Sequence, residues 1–218
     1  MEKLIFIAMI LFWRCFELNA QVNDRYLNIM KKNVAIFDTA TKKETFQTLL
    51  HSFERIGKVE KKDWLSNYYI ALCATSVADR EKDNNISEEL TDKAEVYIAM
   101  ADSLSPNNSE IYVIKAQIAF TQIKVDVVER GMKNTMAASR FLSKALKLDS
   151  QNPRVHILIG MGKISMPENV GGNKKLACEY FQQAEILMKK KPKDEISPQW
   201  GSDTLKQALA ICKKLNSL

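Results

Sequence analysis

Ala138 to Pro153 reads ASRFLSKALKLDSQNP. Within it, Ala138, Leu142 and Ala145 stand at i, i+4 and i+7, offsets that bring all three side chains to one face of a helix. Small residues at both ends of that face let a neighbouring helix approach closely, and the large residue between them fills the gap that remains. Pro153 then suits the first turn of a following helix, where its missing N–H leaves nothing unsatisfied. The stretch therefore reads as one helix built to pack closely, a connection, and the start of the next helix.

The same arrangement occurs twice more. Ala94, Ile98 and Ala101 lie in AEVYIAMADSLSPNN, and Ala177, Phe181 and Ala184 lie in ACEYFQQAEILMKKK. A packing device repeated once per helix pair is what a solenoid requires, because no pair buries its apolar face alone. Elsewhere apolar residues return at three and four, alternation of β-branched residues is rare, and the chain holds only 7 glycines and 5 prolines. This predicts an all-α fold of about nine helices in antiparallel pairs. The expected helices run near Asn23 to Asp38, Glu44 to Ile56 (ended by Gly57), Asp63 to Arg80, and Ser87 to Leu104. The last of these follows a loop from Glu81 to Ile86, with Ser87 as its N-cap and Pro106 stopping it. Others follow near Ser109 to Lys124, Gly131 to Leu148, Pro153 to Ser165, Asn173 to Lys190 and Ser202 to Leu215. Met166 to Gly172 and Pro192 to Gly201 read as connections.

These segments resemble the second helix of tetratricopeptide repeats, and ALKLDSQNP resembles that helix's consensus exit. In the same register Trp64, Tyr112 and His156 take the family's aromatic slot, and Ala116 and Gly160 its small slot; Tyr68 departs from it. The resemblance covers about Asp63 to Lys190 and implies a right-handed solenoid. Phe46, Leu50 and Phe53 fit the Ala-large-Ala slots by apolar spacing alone. The organisation is thus a leader (1–20), an N-terminal pair that is a degenerate repeat or cap (21–60), three tetratricopeptide-like pairs (61–191) and a closing helix (192–218). The family period is about 34 residues, whereas Ala101 to Ala145 spans 44 and Ala145 to Ala184 spans 39. The excess is expected as edge insertions in Glu81 to Ile86, Lys124 to Gly131 and Met166 to Gly172.

The resemblance implies a protein or peptide partner of unknown identity, bound on a concave face formed by the first helix of each pair. The facing positions are Lys62, Leu65 and Tyr69, then Glu110, Val113 and Gln117, then Arg154, Ile157 and Met161. The alternatives are ordinary half-exposed residues, or a groove filled by the chain's own terminal helices. A second reading is an accessory subunit holding a small ligand, since Pro167, Gly171, Gly172 and the lysines after them resemble a segment in the helical subunits of tripartite ATP-independent periplasmic transporters. A third is an enzyme with an unrecognised site.

Lys3, the apolar run Leu4 to Trp13, and Ala20 before Gln21 have the layout of a secretory signal, and the run is shorter than the roughly 20 residues a membrane span takes. An uncleaved anchor and a lipoprotein at Cys15 are the alternatives. The mature chain is then exported, periplasmic or secreted, with no membrane span. The net charge of +6, dispersed among acids, describes a solvated surface more than a nucleic-acid face. Cys73, Cys178 and Cys212 each sit among apolar residues and read as small buried hydrophobes, with a Cys178–Cys212 bridge as the alternative. His51 lacks a metal-ligand partner at i+4, and His156 takes a packing slot. No catalytic motif occurs, so neither catalysis nor a cofactor or metal is expected. Gly171-Gly172-Asn173-Lys174-Lys175 reads as a turn and cap, or as an anion site at a helix start.

Overall fold

The computed structural model describes residues 24–215, and among them the fold is all helical, with no strand. The helices are α1 (residues 24–39), α2 (Lys43–Val59), α3 (Trp64–Arg80), α4 (Asn84–Leu104), α5 (Ser109–Ile123), α6 (Val127–Leu148), α7 (Pro153–Ser165), α8 (Lys174–Met188) and α9 (Ser202–Leu215). The expected leader and its cleavage point lie outside the described residues. No helix among those described is long and apolar enough to cross a membrane.

Six helices in succession, α3 to α8, open on an Asp or Asn whose side chain accepts a first-turn backbone N–H. Such caps satisfy donors that a helix start otherwise leaves orphaned. Two of them correct the sequence reading. Asp83, not Ser87, caps α4, and Asp126 starts α6 at Val127, a turn before Gly131. Ser87 is buried instead, its hydroxyl donating to the Ala78 carbonyl at 3.2 Å. The added turns support one another: Asn84 Nδ2 donates to Val125 O at 3.1 Å, and Arg130 pairs with Glu88 at 2.5 Å. The expected insertions at 81–86 and 124–131 are thus mostly helix, and the excess over the family period lengthens α4 to 21 residues and α6 to 22. Gly57 likewise stays inside α2, where a Cβ would lie 3.2 Å from Ile70 Cδ1 of α3. Its role is close approach rather than termination.

The third expected insertion is a true connection, with a 3-10 turn at Glu168–Val170. Gly171 has φ +98°, and a Cβ on Gly172 would meet the Met166 carbonyl oxygen at 1.9 Å, so the chain turns here only with glycine. Asn173 Oδ1 accepts from Leu176 N at 2.9 Å, which is the turn-and-cap arrangement.

Consecutive helices pack on each other, most extensively α2 on α3, α3 on α4, α5 on α6 and α7 on α8; α3, α5 and α7 also follow one another side by side. The Ala-large-Ala faces lie in these seams. Ala94, Ala101, Ala138, Ala145, Ala177 and Ala184 are wholly buried, and so is Phe181. A Cβ on Gly160 would stand 2.5 Å from the Phe181 ring, so the small slot of one helix is shaped by the large residue of the next. Cys178 of α8 and Cys212 of α9 are joined by a disulfide, which corrects the reading of both as separate buried thiols. Cys73 is a free, buried thiol in α3, its pKa pushed well up by burial.

Candidate functional site

The nine positions expected to line the concave face divide sharply. Leu65, Tyr69, Val113 and Ile157 are buried, Arg154 nearly so, while Lys62 and Met161 are exposed. Glu110 and Gln117 are half-buried. What covers this face is the chain's own connection between α8 and α9, residues 192–201. Tyr69 Oη donates to Ile196 O at 3.1 Å, and Trp200 Nε1 donates to Tyr68 Oη at 2.8 Å. The Arg154 guanidinium carbon lies 5.9 Å from the centre of the Trp200 ring. Gly201, at φ +111°, seats its Cα where a Cβ would come 3.1 Å from Ile157 Cδ1. From the N-terminal side, Phe37 of α1 meets Tyr69 edge-on at 6.3 Å, and Lys31 of α1 pairs with Glu195 at 2.5 Å.

Beneath this strap is a polar cluster. Glu110 accepts from Arg154 Nε at 2.8 Å and Nη2 at 2.5 Å, from Asn152 Nδ2 at 2.8 Å and from Tyr68 Oη at 3.2 Å. Burial works against the Arg154 charge, but the Glu110 carboxylate beside it holds the guanidinium pKa above its ordinary value. Burial pushes the Tyr68 and Tyr69 phenols well up, so both act as neutral hydroxyls. The departure of Tyr68 from the family's small slot is explained here, because its hydroxyl joins Trp200 of the strap to Glu110. Glu110, Arg154, Asn152 and Tyr68 satisfy one another. Asp38 borders the cluster. Burial, then Asp203, raise its carboxyl pKa, with Arg154 opposing them, and its Oδ1 is enclosed without a hydrogen-bond partner.

A cleft of about 320 Å³ opens beside this cluster, where Asp38, Glu110 and Arg154 meet Lys190, Pro192 and Gln199; further clefts lie away from it. Between α1 and α2 a cleft of about 530 Å³ is lined by Tyr26, Ile29, Ile56 and Val59, with Arg25, Arg55, Ser52 and Glu60. Tyr26 Oη donates to Asp63 Oδ2 at 2.6 Å; burial and that carboxylate drive its pKa far above the phenolic range. Between α4 and α6, over α5, a cleft of about 600 Å³ carries Glu88, Asp92, Glu95 and Glu129 against Lys115, Arg130 and Lys133. Two of those cations are already paired, Lys115 with Asp102 and Arg130 with Glu88. A smaller cleft, about 270 Å³, lies between α6 and α8 and includes Phe120, Leu158, Tyr180 and Lys163. Lys163 Nζ donates to Gly171 O. Another, between α8 and α9, is about 470 Å³ and has Leu205 and Leu209 beside Lys189, Lys206 and Lys213.

Of the nine expected positions only Glu110 and Arg154 border one of these clefts, because the expectation followed the face of the first helices and each cleft joins side chains from separate helices. His156 sits in its packing slot, 5.8 Å from the Tyr180 ring, with Nε2 against Ser150 O at 2.9 Å. His51 is exposed beside Glu54. Among the described residues, no three His, Cys, Asp or Glu converge as metal ligands.

No family model matches the sequence, and no curated protein is significantly similar to it. Among solved structures, the chain is similar to the HusA haemophore from Porphyromonas gingivalis. The TM-score is 0.79 at 28% identity, over 87% of this chain and 93% of that one.

Proposed function

We propose that this chain is an exported, non-catalytic carrier of haem or a closely related tetrapyrrole, built from right-handed tetratricopeptide-like helix pairs. The observation that carries the reading is the likeness to a haemophore along nearly the whole of that protein. The leader pattern of residues 1–20 supports export. The repeat assignment is supported by the three Ala-large-Ala seams and by Gly160 seated against Phe181. Part-apolar clefts of roughly 300–1,000 Å³ are the usual size for organic ligands, and the α1–α2 and α8–α9 clefts are of that size with a basic rim.

Titration of haemin into the mature chain tests this. A shifted Soret band that saturates at a fixed stoichiometry, with quenching of Trp64 and Trp200 fluorescence, is the expected result. A spectrum equal to the sum of free haemin and protein overturns it. The reading as a scaffold for a protein partner meets a specific obstacle: any peptide entering the concave face must first displace residues 192–201, which bond to Tyr68 and Tyr69.

A further inference from the structure

We propose that the cleft between α1 and α2 is where the ligand sits, with Arg25 and Arg55 holding the two propionate carboxylates and Ile29, Ile56 and Val59 covering one edge of the macrocycle. This rests on the haem-carrier reading and goes beyond it by naming the site.

The first argument is charge. Both arginines line the cleft and are exposed, and neither makes a hydrogen bond or ion pair among the described residues. A guanidinium is a planar fork that matches a carboxylate with two parallel hydrogen bonds. Glu60 is the one carboxylate in the lining, and Asp63 behind Tyr26 already accepts the phenol hydroxyl, so within the lining two guanidiniums face a single carboxylate. A ligand carrying two carboxylates supplies the missing counter-charge.

The second argument is apolar surface. Ile29 and Val59 are 36% and 73% exposed at the cleft wall, next to the guanidiniums rather than scattered. An apolar wall with a cationic rim suits a flat apolar body that ends in acids. The cleft also offers room of the right order.

The other clefts fit less well: the one beside Arg154 carries Asp38, Glu110 and Asp149, and its guanidinium is taken by Glu110. The one between α4 and α6 carries four carboxylates against three cations, two of them paired, which is the wrong sign for a dianion. The one between α6 and α8 is half the size, and its lysine is engaged. The one between α8 and α9 is basic, but its cations are lysines without the fork geometry. It is the rival to be tested.

The experiment compares haemin with haemin dimethyl ester, whose carboxylates are blocked, on wild type, on Arg25→Gln with Arg55→Gln, and on Lys206→Gln with Lys213→Gln. Wild type should bind haemin more tightly than the diester. The double arginine variant should lose roughly tenfold or more in haemin affinity, the scale of a lost charge-assisted hydrogen bond, and lose its preference for the diacid. Its affinity for the diester and its melting temperature should stay as in wild type. The lysine variant should behave as wild type. If wild type binds haemin and the arginine variant binds it equally, or if the loss follows the lysines, the site is overturned while the carrier reading stands. If wild type binds neither compound, both fall.

Discussion

On the face formed by α3, α5 and α7, Arg154 is buried under residues 192–201 and gives its guanidinium to Glu110; in the α1–α2 cleft, Arg25 and Arg55 stand exposed and make no ion pair among the described residues. The same residue type serves opposite ends in the two places. A buried guanidinium must be paired, because an isolated charge in a low-dielectric interior is strongly unfavourable. Its partner is therefore built into the fold, and the guanidinium's hydrogen bonds are spent on Glu110. An exposed guanidinium beside apolar wall keeps its hydrogen-bonding capacity. Whether a face is available depends on what the rest of the chain lays over it, and the face that the repeat pattern marks as a groove is the one this chain covers.

The contrast can be broken most forcefully at Glu110. Glu110→Ala leaves Arg154 buried without its carboxylate and should destabilise the fold by about 3–5 kcal/mol. Arg55→Gln should shift stability by no more than about 0.5 kcal/mol, as exposed substitutions do. Denaturant titration of both variants checks the pair, and equal losses would end the distinction between the two arginine environments.

A smaller effect is expected from the disulfide. Cys178, near the start of α8, and Cys212, near the end of α9, bracket the strap in sequence, 34 residues apart, so the bond closes the loop of helix, strap and helix that carries residues 192–201. Replacing both cysteines by alanine should cost roughly 2–4 kcal/mol and raise amide exchange within 192–201. Unchanged exchange there would show that Tyr68, Tyr69 and Arg154 hold the strap unaided.

The smallest effect concerns Asp38. The fold raises its carboxyl pKa, through burial first and then Asp203. A raised acid contributes stability while protonated, and that contribution is lost as pH rises through the folded-state value. At neutral pH the ionised carboxylate is therefore a small burden at the edge of the Arg154 cluster. Asp38→Asn should raise the melting temperature slightly at neutral pH and flatten its dependence on pH above the ordinary aspartate range. A variant less stable than wild type at neutral pH would show that the cluster needs the charge.

Much of the scaffold was legible in the residues. The bounds of α7 and α9 were read directly, because Pro153 and the Ser202 region mark starts that local chemistry settles. The Ala-large-Ala faces were legible for the same reason: a period of three and four is written in neighbouring residues. The N-termini of α4 and α6 were misread, since Ser87 and Gly131 are acceptable local signals. What overrode them was pairing between the two helix starts, Asn84 with Val125 and Arg130 with Glu88. The Cys178–Cys212 bond stood only as an alternative, because apolar spacing alone does not say which helix faces of α8 and α9 meet.

By itself, then, the sequence determined that this protein is a run of helix pairs with small-large-small seams, since those features depend on side chains within a turn or two of each other. Only the tertiary structure decided that residues 192–201 cover Tyr68, Tyr69 and Ile157 and that the α1–α2 cleft is open. Tyr69 and Ile196 lie 127 residues apart, and Tyr68 and Trp200 lie 132 apart. Which segment covers which face is a contest among distant parts of the chain for the same apolar surface, and helical periodicity carries no record of its outcome.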